Sequence, residues 1–128
     1  MKIVIATYNE GKFKEFKNLF SNSTFEILSL KDFSTEDIDE TGSSYEENAM
    51  LKAKKASELS NYPSLGDDSG LEVKLLNNGP GLFSARYSGK NATDETNIKK
   101  LLKATKNLES TKAKFVSTLA FYDPQKNL

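Results

Sequence analysis

Two adjacent aspartates, Asp67 and Asp68, are the residues of this chain with the greatest potential for chemistry. They stand in the run Ser64-Leu-Gly-Asp-Asp-Ser-Gly-Leu-Glu-Val73, where they interrupt an otherwise strand-like segment. Adjacent carboxylates repel each other and resist burial, so they need a cation, a proton or strong hydrogen-bond donors. A divalent metal ion would meet that need best. The alternative is structural: the segment is a strand entering a turn, where Asp67 satisfies the turn backbone and Asp68 caps an Asx-turn before Gly70.

The residue types that the sequence lacks restrict which metal ions the chain could bind. Its 128 residues include no cysteine and no histidine, which excludes disulfides, thiolate chemistry, imidazole bases and the usual zinc sites. A metal would therefore be held by oxygen ligands, which indicates Mg²⁺, Mn²⁺ or Ca²⁺. Glu40, in Asp39-Glu-Thr-Gly-Ser43, is a candidate third carboxylate, although charged loop residues are more often simply solvated.

A second group of residues could bind an anion. The segment Ala6-Thr-Tyr-Asn-Glu-Gly-Lys12 lies between a predicted strand and a predicted helix, where backbone N–H groups and the positive helix end attract anions. The side chains that could add to such a site are Thr7, Asn9, Lys12, Lys52 and Arg86. Each has an ordinary alternative, because Asn9 could merely cap the helix and the basic residues could be surface charges.

The elements that must position these residues alternate between strand and helix. Strands are predicted at residues 2–6, 25–30, 71–76 and 114–122, and helices at 10–20, 44–61 and from Thr93 or Asp94 onward. Residues 77–81 read as a turn. This pattern predicts an α/β (mixed α+β) protein with a single domain over residues 1–128.

Two of the predicted helices carry more detailed expectations. Ser44 and Glu47 predict a capping box, and Pro63 prevents the helix that they begin from continuing much beyond residue 61. The last helix is expected to turn Ile98, Leu101 and Leu102 inward.

Charge and hydropathy exclude some classes of function. Eighteen basic and eighteen acidic residues give a formal net charge of zero, so no global attraction to nucleic acid or an anionic membrane is expected. No apolar run is long enough to span a membrane, and the one after Met1 is too short for a signal peptide. A cytoplasmic protein without nucleic-acid or membrane partners is predicted.

The predicted strand at 114–122 has no returning strand after it. Its apolar residues Phe115, Leu119 and Phe121 share one face. A long apolar strand without a neighbour is an exposed edge. Either the chain is cut short or another subunit covers that edge, and we expect a homodimer.

Taken together, the candidate residues describe a polyphosphate site, with carboxylates for Mg²⁺ and basic side chains for phosphate oxygens. The stretches that carry them closely resemble the inosine triphosphate pyrophosphatase family, also called the XTP/dITP pyrophosphatases. The resemblance covers essentially the whole chain, in the same order and at the family's spacings. The matching stretches are Ala6-Thr-Tyr-Asn-Glu-Gly-Lys12, Glu40-Thr-Gly, Glu47-Asn-Ala-Met-Leu-Lys-Ala53, Asp67-Asp-Ser-Gly-Leu71 and Gly79-Pro-Gly-Leu-Phe-Ser-Ala-Arg-Tyr-Ser-Gly89.

The resemblance implies a central twisted mixed sheet flanked by helices. It implies a Mg²⁺-dependent enzyme, usually a homodimer, that hydrolyses deaminated purine triphosphates (ITP, dITP, XTP) to the monophosphate and pyrophosphate. Glu40 and Asp68 match metal ligands, Asp67 is a supporting carboxylate, and Asp68 also matches the proton acceptor. The residues that the resemblance places at the substrate are Thr7, Asn9, Lys12, Lys52, Ser69 and Arg86.

The sequence departs from the family after residue 122. Family members continue with a Phe-Gly-Tyr-Asp-Pro segment, a lysine and a Ser-His-Arg motif that hold the purine base, and none of these is present. The chain thus resembles the phosphate and metal half of the enzyme. Two interpretations stay open: an active pyrophosphatase, or a truncated, catalytically impaired module that binds phosphate or metal or serves in dimerisation.

Overall fold

Strands and helices alternate along the chain, as the apolar periodicity predicts. A computed structural model describes residues 1–108 and 110–126. Its elements are β1 (Lys2–Ile5), α1 (Glu10–Leu19), β2 (Glu26–Ser29), α2 (Tyr45–Ser60), β3 (Ser64–Val73), β4 (Gly79–Pro80), α3 (Asp94–Ala104) and β5 (Ala113–Tyr122). Short 3-10 helices occupy Leu30–Asp32, Lys74–Leu76 and Gly81–Arg86. The predicted mixed α/β fold, with a mixed sheet and flanking helices, is confirmed.

Residue contacts divide the described chain into two units. The first comprises Met1–Asp68 together with the segment from Thr118 onward, and the second comprises Ser69–Ser117. The prediction of a single domain stays a prediction. Within the described ranges, none of the helices combines the length and the apolar character needed to cross a bilayer.

In the first unit, β1 is the central strand. It runs parallel to β2, from the pair Lys2↔Glu26 to the pair Ile5↔Ser29, and parallel to the start of β3 through Val4↔Ser64. A parallel strand with neighbours on both sides is covered on both faces, which explains its unbroken apolar run. Val4 and Ile5 are accordingly fully buried.

Helix α2 packs closely on β3 because small residues face each other. A methyl group at Gly66 would overlap the backbone oxygen of Ala49 and lie 2.9 Å from the backbone nitrogen of Ala53. Both alanines are completely buried. The helix backbone therefore lies directly against the strand just before Asp67 and Asp68.

The N-terminus of α2 differs in one detail from the predicted capping box. Ser44 Oγ accepts a hydrogen bond from Glu47 N at 3.1 Å, as expected for an N-cap. The Glu47 carboxylate, however, accepts from Ser43 N at 2.7 Å rather than returning to the cap residue. The helix start is thus confirmed, and the reciprocal bond is displaced by one residue.

Strand β3 corrects the predicted strand at 71–76. It begins at Ser64, passes through both aspartates and ends at Val73, and Lys74–Leu76 forms a 3-10 turn. The predicted turn follows, because Asn77 and Asn78 adopt left-handed conformations and Gly79–Pro80 pairs back antiparallel on Glu72 and Val73. The aspartates are therefore strand residues, and the alternative that they satisfy a turn before Gly70 is wrong.

In the second unit, α3 begins as predicted, but two of its apolar side chains are exposed to solvent instead of being directed inward. Thr93 and Thr96 form a complete capping box. Asn97 Nδ2 donates to Ser84 O at 3.1 Å, so the helix contacts the preceding turn through polar groups. Ile98 and Leu102 are exposed, which makes the expectation of inward apolar side chains wrong for these two residues.

Strand β5 matches the predicted strand within one residue and pairs with β3. Its side chains alternate as expected for a strand. Phe115, Leu119 and Phe121 are 75%, 55% and 40% exposed, respectively. Val116, Thr118 and Ala120, on the other face, are partly buried, so β5 presents its most apolar face to solvent in this single chain.

Candidate functional site

The two aspartates lie on opposite faces of β3. Successive side chains of a strand alternate, so Asp67 and Asp68 are directed apart although they are adjacent in sequence. They are nonetheless nearly buried, with 8% and 3% exposure. This separation reduces the repulsion that the sequence suggests, and each carboxylate has a different lysine as its neighbour.

Lys12 neutralises Asp67. Its Nζ lies 2.8 Å from Asp67 Oδ2. The lysine is held at the first turn of α1, where Asn9 Oδ1 accepts from the backbone nitrogen of Lys12 at 3.1 Å. Thr7 Oγ1 in turn accepts from Asn9 N at 3.1 Å. Asn9 is therefore a helix cap, and the Thr7–Lys12 segment has a defined geometry beside an acidic strand.

Lys52 is the basic neighbour of Asp68, on the other face of β3. Its Nζ lies 2.6 Å from Glu40 Oε1 and 3.5 Å from Asp68 Oδ1, and it donates a hydrogen bond to the backbone oxygen of Asp67 at 3.0 Å. One largely buried ammonium thus joins α2, β3 and the loop before α2. Of the predicted site residues, the structure brings Lys12, Glu40, Lys52, Asp67 and Asp68 into this one network.

Asn48 belongs to the same network, as its place one helical turn before Lys52 on the predicted helix 44–61 indicates. It is 1% exposed, and its Oδ1 accepts a hydrogen bond from Gly42 N at 2.7 Å. A hydrogen bond from its side chain is among the influences that lower the pKa of Asp68. The available signal was its spacing, because Asn48 precedes Lys52 by one helical turn and adjoins the buried alanines of α2.

The environment of Asp68 favours the protonated form of the carboxyl. Burial is the largest influence and raises the pKa of Asp68, and the nearby charge of Glu40 raises it further. The charge of Lys52 and hydrogen bonds from Asn48 and Lys52 oppose that rise. Across residues 1–108 and 110–126, Asp68 Oδ2 is the buried side-chain oxygen without a hydrogen-bond partner. Such an atom is suited to receive a proton or a cation.

The carboxylates do not form a ready three-ligand metal site. Among the described residues, no three acidic side chains approach one another closely enough to hold an ion together. The reason is geometric, since Asp67 is directed away from Asp68 and Lys52 contacts both Glu40 and Asp68. Glu40 and Asp68 alone still fit Mg²⁺, which is commonly held by one or two carboxylates and several waters.

Two of the predicted substrate residues, Ser69 and Arg86, belong to the second unit. Ser69 follows Asp68 within β3. Arg86 ends the 3-10 helix Gly81–Arg86, and its guanidinium lies 5.9 Å from the ring centroid of Phe83. Their role at a substrate stays a prediction.

Comparison with known sequences identifies relatives over almost the entire chain. The family model described as "Ham1 family" matches residues 3–128. A dITP/XTP pyrophosphatase of Haemophilus influenzae is 47% identical over 122 residues, which cover 94% of this chain and 63% of the relative. One of Oceanobacillus iheyensis is 45% identical over 129 aligned positions, covering 98% and 66%, respectively. The chain thus spans less than two thirds of the length of these curated relatives.

Solved structures agree with the sequence comparison. The Ham1 protein of Staphylococcus aureus superposes with a TM-score of 0.80 at 41% identity, covering 98% of this chain and 65% of the other. A HAM1 protein from Coxiella burnetii gives a TM-score of 0.85 at 38% identity, covering 99% and 66%. These findings confirm the resemblance to the XTP/dITP pyrophosphatases, and the chain belongs to the Ham1 family.

Proposed function

We propose that this chain is a nucleoside triphosphate pyrophosphatase that hydrolyses deaminated purine triphosphates (dITP, XTP and ITP) to the monophosphate and pyrophosphate. The curated relatives at 45% and 47% identity carry the name of that activity. The observation that carries the proposal is the acidic network around Asp68. There Lys12 and Lys52 already neutralise buried carboxylates, and one Asp68 oxygen has no donor among the described residues.

The proposed reaction needs a base for water. The water oxygen would form a bond to the α-phosphorus while the α–β bridging P–O bond breaks, and pyrophosphate leaves with the bond electrons. Asp68 Oδ2 would take the proton of the attacking water. A general base works best when its pKa lies near the working pH, and burial shifts the pKa of Asp68 in that direction.

Mg²⁺ is the proposed cofactor, with Glu40 and Asp68 as its ligands and Asp67 as a supporting carboxylate that holds Lys12. Bound there, the ion would supply positive charge to the phosphate oxygens. Lys52 now lies against both ligand carboxylates. We propose that its ammonium moves to a phosphate oxygen when the ion and the triphosphate bind. Lys12, Thr7 and Asn9 would bind the rest of the triphosphate at the start of α1. Ser69 and Arg86 are the further residues proposed to contact the substrate.

The direct test is pyrophosphate release by the purified chain from dITP, XTP and ITP, with dATP and dGTP as controls. We expect release that requires Mg²⁺, stops on addition of EDTA and favours the deaminated bases. Release from none of the five nucleotides at any Mg²⁺ concentration would contradict the proposal for this chain.

A second candidate is a module that binds phosphate or metal without turnover. It is favoured by one observation, namely that no three acidic side chains among the described residues lie close enough together to hold an ion. Calorimetric titration with the non-hydrolysable analogue of a triphosphate, with and without Mg²⁺, separates the two candidates. Binding without pyrophosphate release from the natural nucleotide would favour the module.

We further propose a homodimer in the cytoplasm. The support for the dimer is the exposed apolar face of β5, since large exposed side chains of this type commonly mark a protein interface.

A further inference from the structure

We infer that Asn48 is a positioning residue, whose side-chain amide holds Asp68 and the Glu40–Gly42 segment in one fixed arrangement. The inference rests on the proposed function, because it concerns the two carboxylates assigned to the metal and the base. Asn48 lies in the first turns of α2, and it is nearly as inaccessible as any residue of the first unit. A buried amide in that place must have partners for both of its ends.

The partners fix the orientation of the amide. A backbone N–H can only donate, so the atom that receives the bond from Gly42 N at 2.7 Å is the oxygen of Asn48. The Nδ2 group is then the end that can donate, and a hydrogen bond from the Asn48 side chain is among the influences that lower the pKa of Asp68. Asn48 therefore needs an acceptor at one end and a donor at the other. Aspartate at this position would offer the acceptor without the donor, and leucine would offer neither.

The Gly42 side of this link is closely packed. A methyl group at Gly42 would lie 2.7 Å from Asn48 Oδ1 and 2.7 Å from Glu47 Cβ. The next residue is also tied to α2, because Ser43 N donates to Glu47 Oε2 at 2.7 Å. The segment that carries Glu40 is thus attached to the start of α2 by two consecutive backbone N–H groups.

The consequence is a fixed relation between the carboxylates of Glu40 and Asp68. Lys52, one turn after Asn48 on the same helix, contacts both of them. Its ammonium is a mobile partner in the proposed reaction, whereas Asn48 makes no contact that the reaction would have to break. Asn48 would therefore keep the two carboxylates in place when Lys52 moves. Misplacement of a reacting group by about 1 Å can cost about 10²-fold in rate.

The experiment compares three variants with the wild type. Asn48→Asp keeps the acceptor for Gly42 and loses the donor to Asp68, Asn48→Leu loses both, and Asn22→Asp makes the same chemical change in an exposed turn. The first measurement is amide hydrogen exchange of Gly42 by NMR, in the metal-free chain without nucleotide. We expect exchange to accelerate at least about tenfold in Asn48→Leu and to stay near the wild-type rate in Asn48→Asp and Asn22→Asp.

The second measurement is steady-state pyrophosphate release, scaled to the folded fraction of each protein. We expect kcat to fall about 10²-fold in both Asn48 variants, with KM changed by less than about threefold and Asn22→Asp unaffected. A purely structural role predicts instead that activity falls only with the folded fraction. Wild-type kcat in folded Asn48→Asp, or unchanged Gly42 exchange in folded Asn48→Leu, would overturn the inference.

Failure of the proposed function would be recognised separately. If the wild type releases no pyrophosphate, the NMR shifts of Gly42 and Asp68 during titration with Mg²⁺ alone replace the kinetic measurement. A positioning role then requires that both signals respond in the wild type and that Asn48→Asp weakens the apparent affinity. Equal affinities, or no response in the wild type, would overturn the inference. Asn48→Asp decides the question even if Asn48→Leu fails to fold.

Discussion

At the scale of single residues, Asp68 is the group on which stability and proposed chemistry make opposite demands. Its charge is stabilised by Lys52 and Asn48, yet burial and the nearby charge of Glu40 together raise the pKa of the carboxyl. An ionised Asp68 is therefore a net cost to the folded state, as is common for groups retained for function.

We expect Asp68→Asn to separate these two demands. The variant keeps the shape of the side chain but cannot accept a proton from water, so pyrophosphate release should fall by about 10²–10⁴-fold. Its melting temperature, measured with EDTA at neutral pH, should rise above that of the wild type. Undiminished activity would show that Asp68 is not the base, and a lower melting temperature would show that its charge stabilises the fold.

The pH dependence of this difference has a definite sign. Because the folded pKa of Asp68 lies above the usual value of 3.8, the folded protein binds the proton more tightly than the unfolded chain does. Its contribution to stability is therefore fully present below the unfolded pKa and is lost as the pH rises through the folded pKa. The advantage of Asp68→Asn should be largest at neutral pH and shrink on acidification. Thermal unfolding of the wild type and Asp68→Asn in EDTA, from neutral to acidic pH, measures this difference in stability. A difference that grows on acidification would contradict the raised pKa of Asp68.

Lys52 is the built-in counter-ion of the same site. Without Mg²⁺, Lys52→Met leaves the charges of Glu40 and Asp68 with less compensation, and we expect the free energy of unfolding to fall by about 2–3 kcal/mol, somewhat below the cost of breaking a fully buried pair. Added Mg²⁺ should then stabilise the variant more than it stabilises the wild type. Lys55→Met on the same helix is the control, because its pair with Glu36 is exposed and worth less than about 1 kcal/mol. Equal Mg²⁺-induced shifts in urea unfolding would exclude competition between Lys52 and the ion.

At the scale of elements, the close approach of α2 to β3 is what brings Asn48 and Lys52 to Asp68. Gly66 permits that approach. We expect Gly66→Ala to lower the free energy of unfolding by about 3 kcal/mol or more, because the added methyl group would overlap helix backbone rather than a flexible side chain. Gly11→Ala, on exposed α1, is the control: the added methyl group would lie 3.2 Å from the side-chain oxygen of Asn9, which can shift, so the change should cost less than about 1 kcal/mol. Urea unfolding measures both, and a neutral Gly66→Ala would mean that the helix can shift outward without cost.

The sequence predicted α2 and β5 within one residue at each end, because apolar periodicity, a cap and a proline define them locally. It did not predict that β3 continues through the aspartates. Aspartate is disfavoured in strands, and here its buried charge is compensated by Lys12 and Lys52, which lie far away in the sequence. Side-chain types alone indicated the carboxylates and lysines of the site. The bridge through Asn48 required the three-dimensional pairing of a loop N–H with a strand carboxylate.

At the scale of the whole molecule, the exposed face of β5 is the feature that a single chain leaves unexplained. Leu119 and Phe121 are 55% and 40% exposed on the same face of a strand. Complete burial of each such side chain would contribute roughly 1.5–3 kcal/mol. A second copy of the chain is the partner that we expect, and the mass in solution decides the matter.

We expect the purified wild type to sediment as a dimer and the double variant Leu119→Lys/Phe121→Lys as a monomer, because two charges would have to be desolvated at the interface. Leu19→Lys is the matched control, since Leu19 is an exposed apolar residue on α1 rather than on β5. Sedimentation equilibrium over a range of concentrations measures the mass, and circular dichroism verifies that each variant is folded. A monomeric wild type would refute the dimer, and a dimer that persists in the folded double variant would place the interface elsewhere. If the Leu19 variant alone became monomeric, the interface would lie on α1, and β5 would need a different explanation for its exposed apolar face.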